Sequence, residues 1–124
     1  MHEKLTKLKP KYVEKGWGYE SILVSNDEYC GKILHFNKGA KFSNHAHRDK
    51  RESFFCLDGY VKVTGIDTTN AEKYVIFLQK GEVLDIPRLC FHQIEAIEES
   101  NIIEFSTKDS PEDNIRVEKG DSQK

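Results

Sequence analysis

This sequence predicts an all-β fold, a closed or sandwiched antiparallel barrel, and three observations carry that expectation. Eight or nine short segments read as strands, either alternating apolar with polar residues or running apolar between turn residues. Gly, Asn and Asp punctuate them at regular intervals, and no stretch has the pattern of an amphipathic helix. At 124 residues the chain is one ordinary domain with a single core.

Residues 1–10 are charged and close on Pro10, which predicts a flexible arm or an edge strand. The barrel is expected over 11–118, followed by a disordered tail over 119–124. Residues 20–25 form a short strand, Asn26-Asp27-Glu28 a turn, and 29–36 the next strand. Alternation groups Lys32, Leu34 and Phe36 on one face. If Leu34 and Phe36 face the interior, Lys32 does too; the alternative is a lysine that snorkels from the strand end into water.

The run after Glu52 predicts a hairpin through Asp58-Gly59, a strong turn dipeptide. Phe54 and Cys56 share the face of Glu52, whereas Phe55 and Leu57 point outward. Two large outward apolar residues, with an arm able to add to a neighbour's sheet edge, predict a homodimer. Residues 66–71 read as a polar loop, and strands follow at 72–78, 83–86 and 93–96. Over 101–106, Ile102, Glu104 and Ser106 oppose Asn101, Ile103 and Phe105. If the first set faces inward, a second carboxylate enters the cavity, where desolvation fits it for proton transfer; if the other does, Glu104 is a solvated surface group. Residues 107–124 are polar and expected to run over the surface.

The chemistry concentrates in residues 39–59, GAKFSNHAHRDKRESFFCLDG. His45 and His47, two apart, share a face only on an extended backbone, so they read as a strand pair. Glu52 lies an odd number of residues beyond His47, so the polar residues 48–51 must bend the chain, and a hairpin would return the carboxylate to the imidazoles. In residues 81–92, GEVLDIPRLCFH, a turn glycine, a strand, Pro87 and then His92 supply the expected fourth ligand. Three histidines and one carboxylate suit a borderline divalent ion such as Fe, Mn, Ni, Cu or Zn and leave room for water or substrate.

Composition excludes other classes. Lys plus Arg number 19 and Asp plus Glu 21, a net charge of −2, which is no footprint for nucleic acid. No apolar run approaches the roughly 20 residues of a membrane span, and the start MHEKLTKLKPK is no signal peptide, so a cytoplasmic protein is expected. Cys30, Cys56 and Cys90 are an odd set without CxxC spacing, which predicts reduced thiols filling core positions.

Gly39, His45, His47, Glu52 and Gly59 match the first cupin pattern, and Gly81, Pro87 and His92 match the second, which departs at Leu89, usually glycine, and at Ala96, usually asparagine. At these residues the chain resembles the cupin superfamily. The resemblance implies a double-stranded β-helix, or jelly-roll barrel, with one divalent transition metal (Zn, Mn, Fe, Ni or Co). Lys15-Gly16-Trp17-Gly18-Tyr19-Glu20, the strand Lys32-Ile33-Leu34, and Ile103-Glu104-Phe105 followed by Pro111-Glu112-Asp113-Asn114-Ile115-Arg116 are similar to the cupin domain of type II mannose-6-phosphate isomerases. That family commonly has glutamine at the position of His45 and histidines where this chain has Arg48-Asp49-Lys50.

This likeness implies an aldose–ketose isomerase acting on a sugar or sugar phosphate, with Glu104 and Lys32 as candidates for the proton transfer. Arg48, Lys50, Arg51 and Arg88 either clamp a phosphate or form a solvated rim. The alternatives are a small-molecule (sugar) binding module without turnover, and an Fe-dependent dioxygenase using the same ligands.

Overall fold

The structure, a computed structural model, describes residues 3–124. Its strands are β1 (Lys11–Lys15), β2 (Gly18–Ser25), β3 (Tyr29–Phe36), β4 (Asn44–Ala46), β5 (Glu52–Asp58), β6 (Tyr60–Asp67), β7 (Glu72–Gln79), β8 (Val83–Ile86), β9 (His92–Ala96), β10 (Ser100–Thr107) and β11 (Ile115–Glu118). They form two antiparallel sheets, one in the order β1-β2-β3-β10-β5-β8 and the other β11-β4-β9-β6-β7. No helix of the described residues is long and apolar enough to cross a membrane.

Alternation decides what lies between the sheets. Cys30, Lys32, Leu34 and Phe36 of β3 are buried, as are Glu52, Phe54 and Cys56 of β5, His92, Ile94 and Ala96 of β9, and Ile102 and Glu104 of β10. Each of these inward rows is apolar at one end and polar at the other. Strand register aligns the ends: Ile102 lies opposite Leu34 and Cys56, whereas Glu104 lies opposite Lys32 and Phe54. One end of the barrel is therefore packed with hydrocarbon, including Trp17 stacked on Phe36 at 4.5 Å, and the other end collects the charges. On the outer face the same register lines up Ile33, Ile103, Phe55 and Val83. Phe55 and Leu57 point outward as expected, Phe55 half-buried and Leu57 exposed.

Several expectations need correction. Residues 66 and 67 belong to β6, because pairing with β7 continues to Asp67 opposite Glu72; the loop is correspondingly shorter. Residues 3–10 are exposed and lie in no strand, and Met1 and His2 fall outside the described residues. The tail over 119–124 is not disordered. It forms a short 3₁₀ turn, Asp121–Gln123. Asp121 donates its N–H to the Lys41 carbonyl and its Oδ2 accepts the Lys41 N–H, each at 2.8 Å, while Gly16 donates its N–H to the Ser122 hydroxyl at 3.0 Å. Polarity alone missed this, because the partners at Lys41 and Gly16 are main-chain groups.

The connection from β8 to β9 aims His92. Cys90 N–H closes on the Pro87 carbonyl at 3.3 Å, and Leu89, third in that turn, has φ 63°. Turns with a left-handed third residue ordinarily take glycine there. Leu89 instead carries the strain, while its N–H donates to the His47 carbonyl at 2.8 Å and ties the turn to a neighbouring ligand. A left-handed conformation costs an ordinary residue about 1–2 kcal/mol, against about 0.4–1 kcal/mol for the extra unfolded-state freedom of glycine. Leu89→Gly is thus expected to stabilise the fold by roughly 0.5–1 kcal/mol, read as a rise in Tm of about 2–6 °C. A fall in Tm would mean that the Leu89 side chain contributes more than its backbone costs.

Candidate metal centre

Each expected ligand sits in or directly beside a strand on the polar side of the barrel. His45 on β4 and His92 on β9 are register partners with ring centroids 4.6 Å apart. His47 follows β4 directly, and Glu52 opens β5 in the opposite sheet. One nitrogen from each of His45, His47 and His92 lies within 4.8 Å of the others. The Glu52 Oε2 is 3.3 Å from the Nε2 of His47 and 3.3 Å from that of His92. The four residues therefore converge, although the route of Glu52 differs from the expected hairpin. The chain crosses from one sheet to the other over 48–51, because β4 pairs with β9 and β11 while β5 pairs with β10 and β8.

Asp113 fixes that crossing. Its carboxylate accepts the backbone N–H groups of Arg48 at 2.7 Å, Asp49 at 3.1 Å and Lys50 at 2.9 Å. Burial pushes the Asp113 carboxyl up, but these three N–H groups outweigh it and hold the group below the usual carboxylate range. Its main-chain carbonyl also takes the His47 Nδ1.

Protonation follows from the partners. The Nδ1 atoms of His45, His47 and His92 each meet a backbone carbonyl, of Ser43 at 2.8 Å, of Asp113, and of Cys90 at 2.9 Å. A carbonyl only accepts, so each Nδ1 carries the proton and each Nε2 presents a lone pair. Burial, with His92 and His47 adding to it, pushes the His45 imidazole down to about 3, and burial lowers that of His47 too, so both stay neutral. The result is a set of lone pairs and one carboxylate oxygen facing each other. Glu52 Oε2 and His92 Nε2 are buried with no hydrogen-bond partner. Two such acceptors at 3.3 Å repel unless a cation lies between them, and neutral imidazoles with a carboxylate are the donor set of a divalent transition ion. The residues fit a metal.

His45, His47 and Glu52 line a cavity of about 330 Å³ with Leu34, Phe42 and Phe54 as its apolar wall. Both candidates for proton transfer face it: Glu104 is 4% and Lys32 7% exposed. Sequence reading missed the part played by Lys50. Its ammonium is buried, 3.2 Å from Glu104, 3.1 Å from Asp109 and 3.7 Å from Glu52. It is not part of a solvated rim, because the crossing over 48–51 folds it inward. Burial disfavours its charge, but Glu104, Glu52 and Asp109 overcome that and push its pKa up. Burial dominates at Glu104 and holds its carboxyl above the ordinary range, with Lys50 pulling the other way. Arg48, Arg51 and Arg88 are exposed and line no part of this cavity. Arg51 pairs with Asp85 at 2.9 Å, and Arg88 donates to the Asp49 carbonyl at 2.7 Å. Cys90 is half-buried as a free thiol and borders a separate small apolar pocket that also touches His92.

His47→Ala and His92→Ala are each expected to weaken divalent-metal binding by roughly 100-fold or more, beyond the 10–100-fold typical of supporting residues. Calorimetric titration reads the affinity, and the metal-dependent rise in Tm should vanish in parallel. Unchanged affinity in either variant would remove that residue from the centre.

No protein-family model and no curated protein matches the chain. Solved structures do. The capsular polysaccharide assembling protein CapF from Staphylococcus aureus aligns with a TM-score of 0.79 at 20% identity, over 90% of this chain and 32% of its own. Oxalate decarboxylase from Bacillus subtilis aligns at 0.73 and 20%, over 94% and 33%. KdgF from Halomonas sp. aligns at 0.63 and 18%, over 76% and 81%. The chain thus spans about a third of the length of the first two. All three are cupin-fold proteins, and their likeness, together with the two-sheet barrel and its three-histidine centre, shows that this chain has the cupin fold.

Proposed function

We propose that this chain is a metal-dependent isomerase that exchanges the aldose and ketose forms of a sugar. The observation that carries the reading is a buried carboxyl, Glu104, facing the cavity that His45, His47 and Glu52 also line. A divalent ion held by His45, His47, Glu52 and His92 would act as a Lewis acid, polarising a carbonyl and its neighbouring hydroxyl. The remaining chemistry belongs to the chain. Glu104 takes the proton from the carbon beside the carbonyl and returns it to the former carbonyl carbon, while the hydroxyl proton passes to the former carbonyl oxygen, so that no proton is gained or lost. Its raised pKa suits it to hold that proton between the two steps, and Lys50 at 3.2 Å keeps the carboxyl aimed. Lys32 is 3.0 Å from Asp109 and 3.8 Å from Glu20. Burial disfavours its charge, yet Glu104, Glu20 and Asp109 raise its pKa, so it serves as a charged donor and not as a base. Leu34, Phe42 and Phe54 offer an apolar wall to the C–H face of a sugar ring, in a cavity within the roughly 300–1,000 Å³ of small-molecule sites. The structural likeness to a capsular polysaccharide assembling protein agrees with a carbohydrate substrate. A homodimer, if formed, would use the outward row through Phe55 and Ile103.

Metal-loaded protein incubated with aldoses in deuterated water is expected to label the carbon next to the carbonyl. Glu104→Gln should reduce that labelling by about 10²–10⁴-fold while metal content stays unchanged. Neither label nor ketose product with any aldose or aldose phosphate would contradict the isomerase reading; sugar binding without either would identify a binding protein instead.

A further inference from the structure

The cavity is lined by three ammonium groups and five carboxylates. The ammonium groups are engaged. Lys50 meets Glu104, Asp109 and Glu52, Lys32 meets Asp109 and Glu20, and Lys15 at the rim has Glu20 at 4.0 Å. Among these contacts, that of Asp109 has the geometry of a captured anion. One oxygen lies 3.0 Å from Lys32 Nζ and the other 3.1 Å from Lys50 Nζ, so the carboxylate bridges the two deepest cations of the cavity. A phosphate entering to reach those lysines would need the same place, since phosphate and carboxylate oxygens accept the same charge-assisted hydrogen bonds.

Asp109 is also nearer to solvent than the two lysines it bridges. Its side chain is 27% exposed, against 9% for Lys32 and 5% for Lys50. It lies on the segment that leaves β10 and supplies Ser110, Pro111 and Asp113 to the cavity lining. Burial pushes its carboxyl up, but Lys50 and Lys32 more than reverse this and hold it at about 2, so the charge is permanent. With a divalent ion at the centre the lining is balanced, and any further anion arrives in excess.

We propose that Asp109 is a specificity-determining residue: its carboxylate fills the anion subsite between Lys32 and Lys50, so that the cavity selects an uncharged, unphosphorylated sugar. The choice of a sugar rests on the function proposed above; the exclusion of phosphate by Asp109 does not.

The test is calorimetric titration of the metal-loaded wild type, Asp109→Asn and Asp109→Glu with inorganic phosphate at fixed ionic strength. Mannose and mannose 6-phosphate are compared on the wild type. Asp109→Asn should bind phosphate at least about tenfold more tightly than the wild type, the worth of one charge-assisted hydrogen bond, and Asp109→Glu should behave as the wild type. Direct coordination of phosphate by the metal is common to all three and cancels in the comparison. Asp109→Ser replaces Asp109→Asn if the latter does not fold. Mannose 6-phosphate should bind the wild type no more tightly than mannose. Equal phosphate affinity in wild type and variant, or a tenfold preference of the wild type for the phosphorylated sugar, would overturn the proposal. If neither sugar binds but the phosphate contrast holds, the sugar reading fails and the role of Asp109 stands.

Discussion

The polar end of this barrel is organised by one electrostatic constraint: a buried carboxylate oxygen and the lone pairs of buried imidazoles point at one another. Glu52 Oε2 stands 3.3 Å from two Nε2 atoms, and neither it nor His92 Nε2 has a hydrogen-bond partner. An unpaired buried acceptor costs roughly 1–3 kcal/mol, more when it is charged. Protonating the imidazoles would relieve the repulsion, but burial resists the charge on His45 and His47. A cation shared by all four groups satisfies every one of these demands at once.

The rest of the fold serves that convergence. The ligands come from both sheets, so their spacing depends on the elements that join the sheets and not on any one strand. The carboxylate of Asp113 locks the crossing over 48–51 through three backbone N–H groups and its carbonyl orients His47. The strained turn at Leu89 aims His92 and is tied back to the His47 carbonyl. Register across β3, β10 and β5 then sets Lys32, Glu104 and Phe54 side by side beneath the centre. Lys50, entering from the crossing, pairs with the buried carboxylates of Glu104 and Glu52 and shares Asp109 with Lys32.

Much of this was legible in the sequence, for identifiable reasons. Period-2 alternation placed Lys32, Leu34 and Phe36 together and Phe54 and Cys56 with Glu52, because a pleated strand leaves no other choice once one face is buried. The spacing of His45, His47, Glu52 and His92 singled out as candidate ligands four residues that the structure brings together. Alternation grouped Glu104 with Ile102 without saying which face was inward; the neighbouring strands, which hold Leu34 and Cys56 against Ile102, made that choice. What alternation cannot reach are residues outside strands. Lys50 read as one more charge in a polar run, yet the crossing buries it. Asp109 and Asp113 sit in a loop whose polar composition suggested only a surface path, although the segment from Pro111 to Arg116 already carried a family likeness. The tail was misread for the same reason, since its anchors at Lys41 and Gly16 are main-chain groups with no signature in side-chain type.

The claim at the centre of this account is that His45, His47, His92 and Glu52 hold one divalent ion through the three Nε2 atoms and a carboxylate oxygen. X-ray absorption at the metal edge of stoichiometrically loaded protein addresses it directly. The account predicts three imidazole shells and at least one oxygen at about 2.0–2.2 Å. A sulfur shell near about 2.3 Å, which would implicate Cys90, or fewer than three imidazoles, would contradict it.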